Sequence, residues 1–221
     1  MLPLSVQLIH AGAALMLLLA FVFLVERRLR QLVELYRAQG LILCLLSAIL
    51  AWSQHRPELW WSTLTHFGFK VVLIPWGLQR WINKLNLRWD RELMVNVPTR
   101  LLMGIGLVLL AFNLSHSLRP WAEGDAGQGL SIALACVLLA LLMMMVRTQA
   151  LAQVMGFLAM ENAIMFAATA SAYGMPMILE LGMALDVLVG LAIIGMFMQH
   201  MRNQFDSLDL RDIERVREAG R

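Results

Sequence analysis

Seven stretches of this chain are long and apolar enough to cross a bilayer: 4–25, 32–53, 60–82, 98–117, 128–147, 150–172 and 177–199. About 20 mainly apolar residues suffice for one helical crossing. The connections between them are short, except 83–97 and 118–127. The second of these, Leu118-Arg119-Pro120-Trp121-Ala122-Glu123-Gly124-Asp125-Ala126-Gly127, is polar and turn-forming. The pattern predicts an all-α, polytopic membrane protein of seven transmembrane helices. Beyond the last stretch, 206–221 reads as a short charged helix with Leu210, Ile213 and Val216 as an apolar stripe. There Asp212 with Arg215, and Glu214 with Arg217, lie three apart on one surface. It is either a solvated tail or a docking element for a cytoplasmic partner.

Composition agrees. The chain is 60% hydrophobic and 15% charged, against about 25% charged for soluble domains. Of its seven tryptophans, Trp52, Trp60, Trp61, Trp81, Trp89 and Trp121 fall near span ends, where indole rings favour the membrane–water interface. Cys44 and Cys136 lie within apolar spans without CxxC spacing or a neighbouring His or Asp, which argues against a disulfide or a metal site. The sixteen methionines, Met143-Met144-Met145 among them, read as adaptable packing. The sequence has no phosphate loop, no nucleophile paired with a base, and no haem or metal spacing.

The placement of basic residues orients the spans. With seven crossings, loops 26–31, 83–97 and 148–149 and the C-terminus share a side. Fifteen of the 18 Lys and Arg fall on or near it, from Arg27, Arg28 and Arg30 through Arg100 and Arg147 to Arg221. Only Arg56 and Arg119 fall opposite. By the positive-inside rule the C-terminus is cytoplasmic and the N-terminus external. The basic balance, pI 9.3, is thus a matter of topology rather than nucleic-acid binding. The first span reads as a retained helix rather than a cleaved signal, because its charges, Glu26-Arg27-Arg28-Leu29-Arg30, follow it.

The informative residues are those that interrupt the apolar spans. Lys70, Glu161 and Asp186 each sit near the middle of one. A charge at the bilayer centre costs about 2.5–3.5 kcal/mol on insertion scales, so such groups pair within the bundle or handle protons. A carboxyl group in hydrocarbon tends to take up a proton, and a nearby cation reverses that tendency. Glu161 and Asp186 can therefore form a relay, or hydrogen-bond statically and fix helix packing. Gly156, Gly182 and Gly190 permit close helix approach around them. Lys70 reads as a modulator of that relay or as a fixed counter-ion to Glu161 or Asp186. His66, four residues before Lys70 on the same helical face, either extends the path or is structural. His10, His116 and Glu180 lie nearer the outer interface. A retinal reading is disfavoured, because Lys70 lies in the third span rather than the last. A short repeat links Arg37-Ala38-Gln39-Gly40-Leu41 at span two with Arg147-Thr148-Gln149-Ala150-Leu151 at span six.

The last three spans carry Arg147, then Gly156-Phe157-Leu158-Ala159-Met160-Glu161-Asn162-Ala163. Next come Ala184-Leu185-Asp186-Val187-Leu188-Val189-Gly190-Leu191-Ala192 and the basic end His200-Met201-Arg202-Asn203. This order resembles the small three-helix K-type component of respiratory complex I and the related small C-type component of multisubunit cation/proton antiporters. Asp186 stands where that family usually has Glu, about one methylene shorter, and the loop Ser171-Ala172-Tyr173-Gly174-Met175-Pro176 is short. With its additional N-terminal helices and its length, the whole chain resembles hydrogenase-4 component E, a membrane subunit of formate-hydrogenlyase-type hydrogenase complexes.

The resemblance implies three parts: 1–127, an N-terminal four-helix membrane part; 128–203, a three-helix proton-relay unit; and 204–221, a charged cytoplasmic tail. It implies a non-catalytic subunit in a bacterial inner membrane, without a cofactor of its own. The implied partners are antiporter-like subunits and iron–sulfur and nickel–iron hydrogenase subunits. Glu161 and Asp186 would be the relay core, with Lys70 and His66 beside it. A subunit of a cation/proton antiporter and a non-conducting membrane scaffold are the alternative expectations.

Overall fold

A computed structural model of the chain describes residues 4–53, 58–84, 95–118 and 126–171, together with Gly195. The elements are α1 (Leu4–Val25), α2 (Leu29–Ser53), α3 (Glu58–Thr65), a π-helical segment (His66–Leu73), α4 (Ile74–Lys84), α5 (Val97–Leu118), α6 (Ala126–Val146) and α7 (Ala150–Ser171). Among the described residues there is no strand. Among the described residues, five helices, α1, α2, α5, α6 and α7, are long and apolar enough to cross a membrane. The third predicted span, 60–82, is a continuous helical run over 58–84 built of three segments rather than one uniform α-helix. The predicted seventh span, 177–199, and the tail lie outside the described residues, apart from Gly195. That glycine lies directly against the Trp81 indole, which any Cβ would overlap.

The π segment has a local cause. Ile74 N–H donates to Phe69 O, five residues back. Pro75 follows and has no N–H, so the regular ladder cannot continue through it. Arg37 Nε, reaching across from α2, donates to the Val71 carbonyl at 3.2 Å, the acceptor an α-helical residue 75 would have used. The wider turn aligns residues four to five apart, and His66, Lys70 and Val71 all fall on the buried face.

Helix α6 is the hub, packed on α7, α5 and α1, and α2 joins α1 to α7 and to the 58–84 run. The core between them contains Met16, Phe23, Tyr36, Leu43, Leu139, Met143, Leu158 and Phe166, all buried. The outer surface is apolar as well: Leu45, Leu102, Leu109 and Met145 are 61, 70, 66 and 75% exposed. An apolar surface this extensive would aggregate in water, whereas lipid tails solvate it.

Two arginines that the sequence pattern assigns only to a side turn inward. Arg100 of α5 donates to Leu24 O, and Arg147, between α6 and α7, donates to Phe23 O and Glu26 O. Both are fully buried. They satisfy carbonyls that the end of α1 leaves open, and they place positive charge at its negative dipole end. Arg30 donates to Asn83, and Gln79 donates to Glu34, tying the start of α2 to the end of α4. The ends of α1, α4 and α6 and the starts of α2, α5 and α7 therefore lie together. At the opposite end Ser115 bonds Ser131, and the Cys44 thiol donates to Thr63 O.

Candidate functional site

Three elements converge where the charges are buried. Helix α2 contributes Tyr36, Gln39, Gly40 and Ser47, spaced so that all fall on its buried face. The π segment contributes Lys70 and His66, and α7 contributes Glu161 and Asn162. Lys70 Nζ donates to Glu161 Oε1 at 2.7 Å and to Asn162 Oδ1 at 2.8 Å. Asn162 Nδ2 in turn donates to Gln39 Oε1 at 3.4 Å, so the cluster closes back onto α2. Lys70 is 2% exposed and Glu161 7%, and Asn162 and Gln39 are as deeply buried. One turn toward the α3 side, Ser47 Oγ and His66 Nδ1 lie 3.2 Å apart.

The approach of the π segment to α2 depends on Gly40. A Cβ there would stand 3.0 Å from Lys70 Cβ and 3.3 Å from the Lys70 carbonyl. A side chain must therefore push the Lys70 backbone away from α2 and stretch its bonds to α7. Gly40→Leu is expected to cost about 1–3 kcal/mol by overpacking, read as a lower melting temperature in detergent. Gly106→Leu on α5, where a Cβ meets nothing within 4 Å, is the matched control and is expected to be silent.

The sequence singles out Lys70, Glu161 and His66, and the structure gathers all three. Lys70 contacts Glu161 directly, as its counter-ion. Asp186 lies outside the described residues. The residues that sequence reasoning passes over are Tyr36, Gln39 and Ser47. Their signal is their spacing, since positions 36, 39, 43 and 47 trace one helical face that carries polar groups through an apolar span.

A buried ammonium–carboxylate pair with this geometry can do one of two things. It can lock α7 against the 58–84 run, or it can hold a proton in either of two places. A proton arriving at Glu161 neutralises the carboxylate and weakens its hold on Lys70, and departure restores the pair.

Along its length the chain is 31% identical over 204 residues to the Uncharacterized protein Rv0085 of Mycobacterium tuberculosis, covering 91% of this chain and 93% of that one. The chain belongs to the Rv0085 family. The match spans nearly all of both chains, so this family is a whole-length one rather than a shared segment. No family model matches the chain, and no solved structure does.

Proposed function

We propose that this Rv0085-family chain is a membrane subunit of a complex I-related, membrane-bound hydrogenase complex of the formate-hydrogenlyase kind. In this reading it contributes to proton translocation through Glu161, Lys70 and Asp186, with His66 extending the path. It crosses a bacterial inner membrane seven times, with an external N-terminus and a cytoplasmic C-terminus. Electrons stay with its partners, and protons pass through or are gated by this chain.

The observation that carries the reading is the Lys70–Glu161 pair, 2.7 Å apart in the buried middle of two apolar helices. Each group alone is costly in hydrocarbon, and hydrophobic packing could hold these helices as well. A pair retained at that cost is readily explained if its charge changes during work. The order of Arg147, Glu161, Asn162 and Asp186 adds the resemblance to the K-type components.

The test is what surrounds the chain in the membrane. An affinity-tagged chain extracted in mild detergent is expected to bring down an antiporter-like subunit and iron–sulfur hydrogenase subunits. Antiporter subunits without any redox subunit would move the chain to a cation/proton antiporter assembly. Recovery as a lone, stable monomer would contradict membership of either complex.

A further inference from the structure

Two buried oxygens of this cluster find no hydrogen-bond partner among the described residues: Glu161 Oε2 and Tyr36 Oη. Tyr36 is 0% exposed. It stands one turn before Gln39 on α2, roughly 4–5 Å along the axis, and Gln39 is already tied to Asn162. Tyr36 and Gln39 share the buried face of α2, and Asn162, which Gln39 meets, also accepts from the Lys70 ammonium that holds Glu161, so Tyr36 and Glu161 belong to one buried polar cluster. Buried polar groups are satisfied in nine cases of ten or more, by protein or by ordered water. A single water requires two to four polar partners, and these two oxygens supply the minimum. His66 Nε2 is a third unpartnered buried atom, but it belongs to the Ser47 side of the cluster, beyond Lys70.

We propose that Tyr36 is a positioning residue for proton entry to Glu161, holding a bound water between its hydroxyl and Glu161 Oε2. The inference rests on the relay reading above and adds to it a residue, a bound molecule and a side of approach. The Tyr36 O–H donates to the water oxygen, which turns one water O–H toward Glu161 Oε2. A proton reaching that water from the α2 N-terminal side makes it hydronium. It then passes to Oε2, leaving neutral water and a neutral carboxylic acid. Tyr36 keeps its own proton throughout. The carboxyl in turn loosens its bond to Lys70 Nζ, which remains held by Asn162 Oδ1.

Tyr36→Phe in the assembled complex is the test, since it removes one oxygen and keeps the ring that fills the core. Proton movement per assembled complex in vesicles is expected to fall about tenfold. That is less than the ~100-fold or more lost with a positioned proton donor outright, because water still occupies part of the path. The infrared band of Glu161, identified by its disappearance in Glu161→Gln, is expected to shift in Tyr36→Phe. A ring that only packs would leave both readouts unchanged. Unchanged flux and band in Tyr36→Phe, with flux lost in Glu161→Gln, would overturn this proposal and leave the relay standing. Unchanged flux in both variants would overturn the two together. If Tyr36→Phe does not assemble, a high-resolution structure of the wild-type complex decides. Water density within hydrogen-bond distance of both oxygens supports the proposal, and a protein partner on either oxygen overturns it.

Discussion

Lys70→Met is expected to cut the membrane content of the folded chain to about a tenth or less, and adding Glu161→Gln to it is expected to restore most of the loss. The single change leaves the Glu161 carboxylate in the core without the ammonium that donates to Oε1. Breaking a buried ion pair from one side costs about 3–5 kcal/mol, and even 1–2 kcal/mol alters cellular abundance several-fold. The second change removes the stranded charge and gives Asn162 an amide neighbour, so the two losses should not add. Quantitative blots of membrane fractions and melting curves in detergent read both effects. Equal depletion in the single and double variants would mean that the two residues are not energetically coupled.

The reverse single change is milder for a chemical reason. In Glu161→Gln the amide oxygen at position 161 can still accept from Lys70 Nζ, and Asn162 Oδ1 already does. That asymmetry allows Glu161 to be tested for function without losing the protein.

The spans 4–25, 32–53, 98–117, 128–147 and 150–172 were readable because hydrocarbon leaves so little choice: a backbone without water must satisfy itself within a helix. The charges were readable for the same reason, and Lys70, Glu161 and His66 stand out in any apolar window. What they touch was not. Lys70 reaches Glu161 because Gly40 lets the π segment close on α2, and because α2 and α7 pack side by side. Pro75 marks a local disturbance in the third span. The five-residue hydrogen-bond register, however, involves Arg37 taking the Val71 carbonyl from a different helix, which no local pattern encodes. Arg100 and Arg147 illustrate the limit of charge counting. The positive-inside rule gives only an expected side for them, whereas their burial against the end of α1 is a tertiary fact. Tyr36, Gln39 and Ser47 are uncharged, and polar residues of that kind are common in membrane helices. Their shared face acquires meaning once Lys70 and Glu161 are known to lie against it.

Whether Glu161 moves protons or only locks helices is decided by one change that keeps its shape. Glu161→Gln retains size and hydrogen bonding but cannot gain or release a proton at that site. Under the proposed hydrogenase reading, proton movement is measured in vesicles carrying the purified assembly, driven by the redox reaction that reading assigns to its partners and normalised to the amount of this chain. In the relay, Glu161→Gln is expected to lower movement per complex by about 100-fold, the scale of losing a positioned proton-transfer group. Full proton movement in Glu161→Gln at the wild-type amount of complex would contradict the relay and leave the buried pair as a lock between α7 and the 58–84 run.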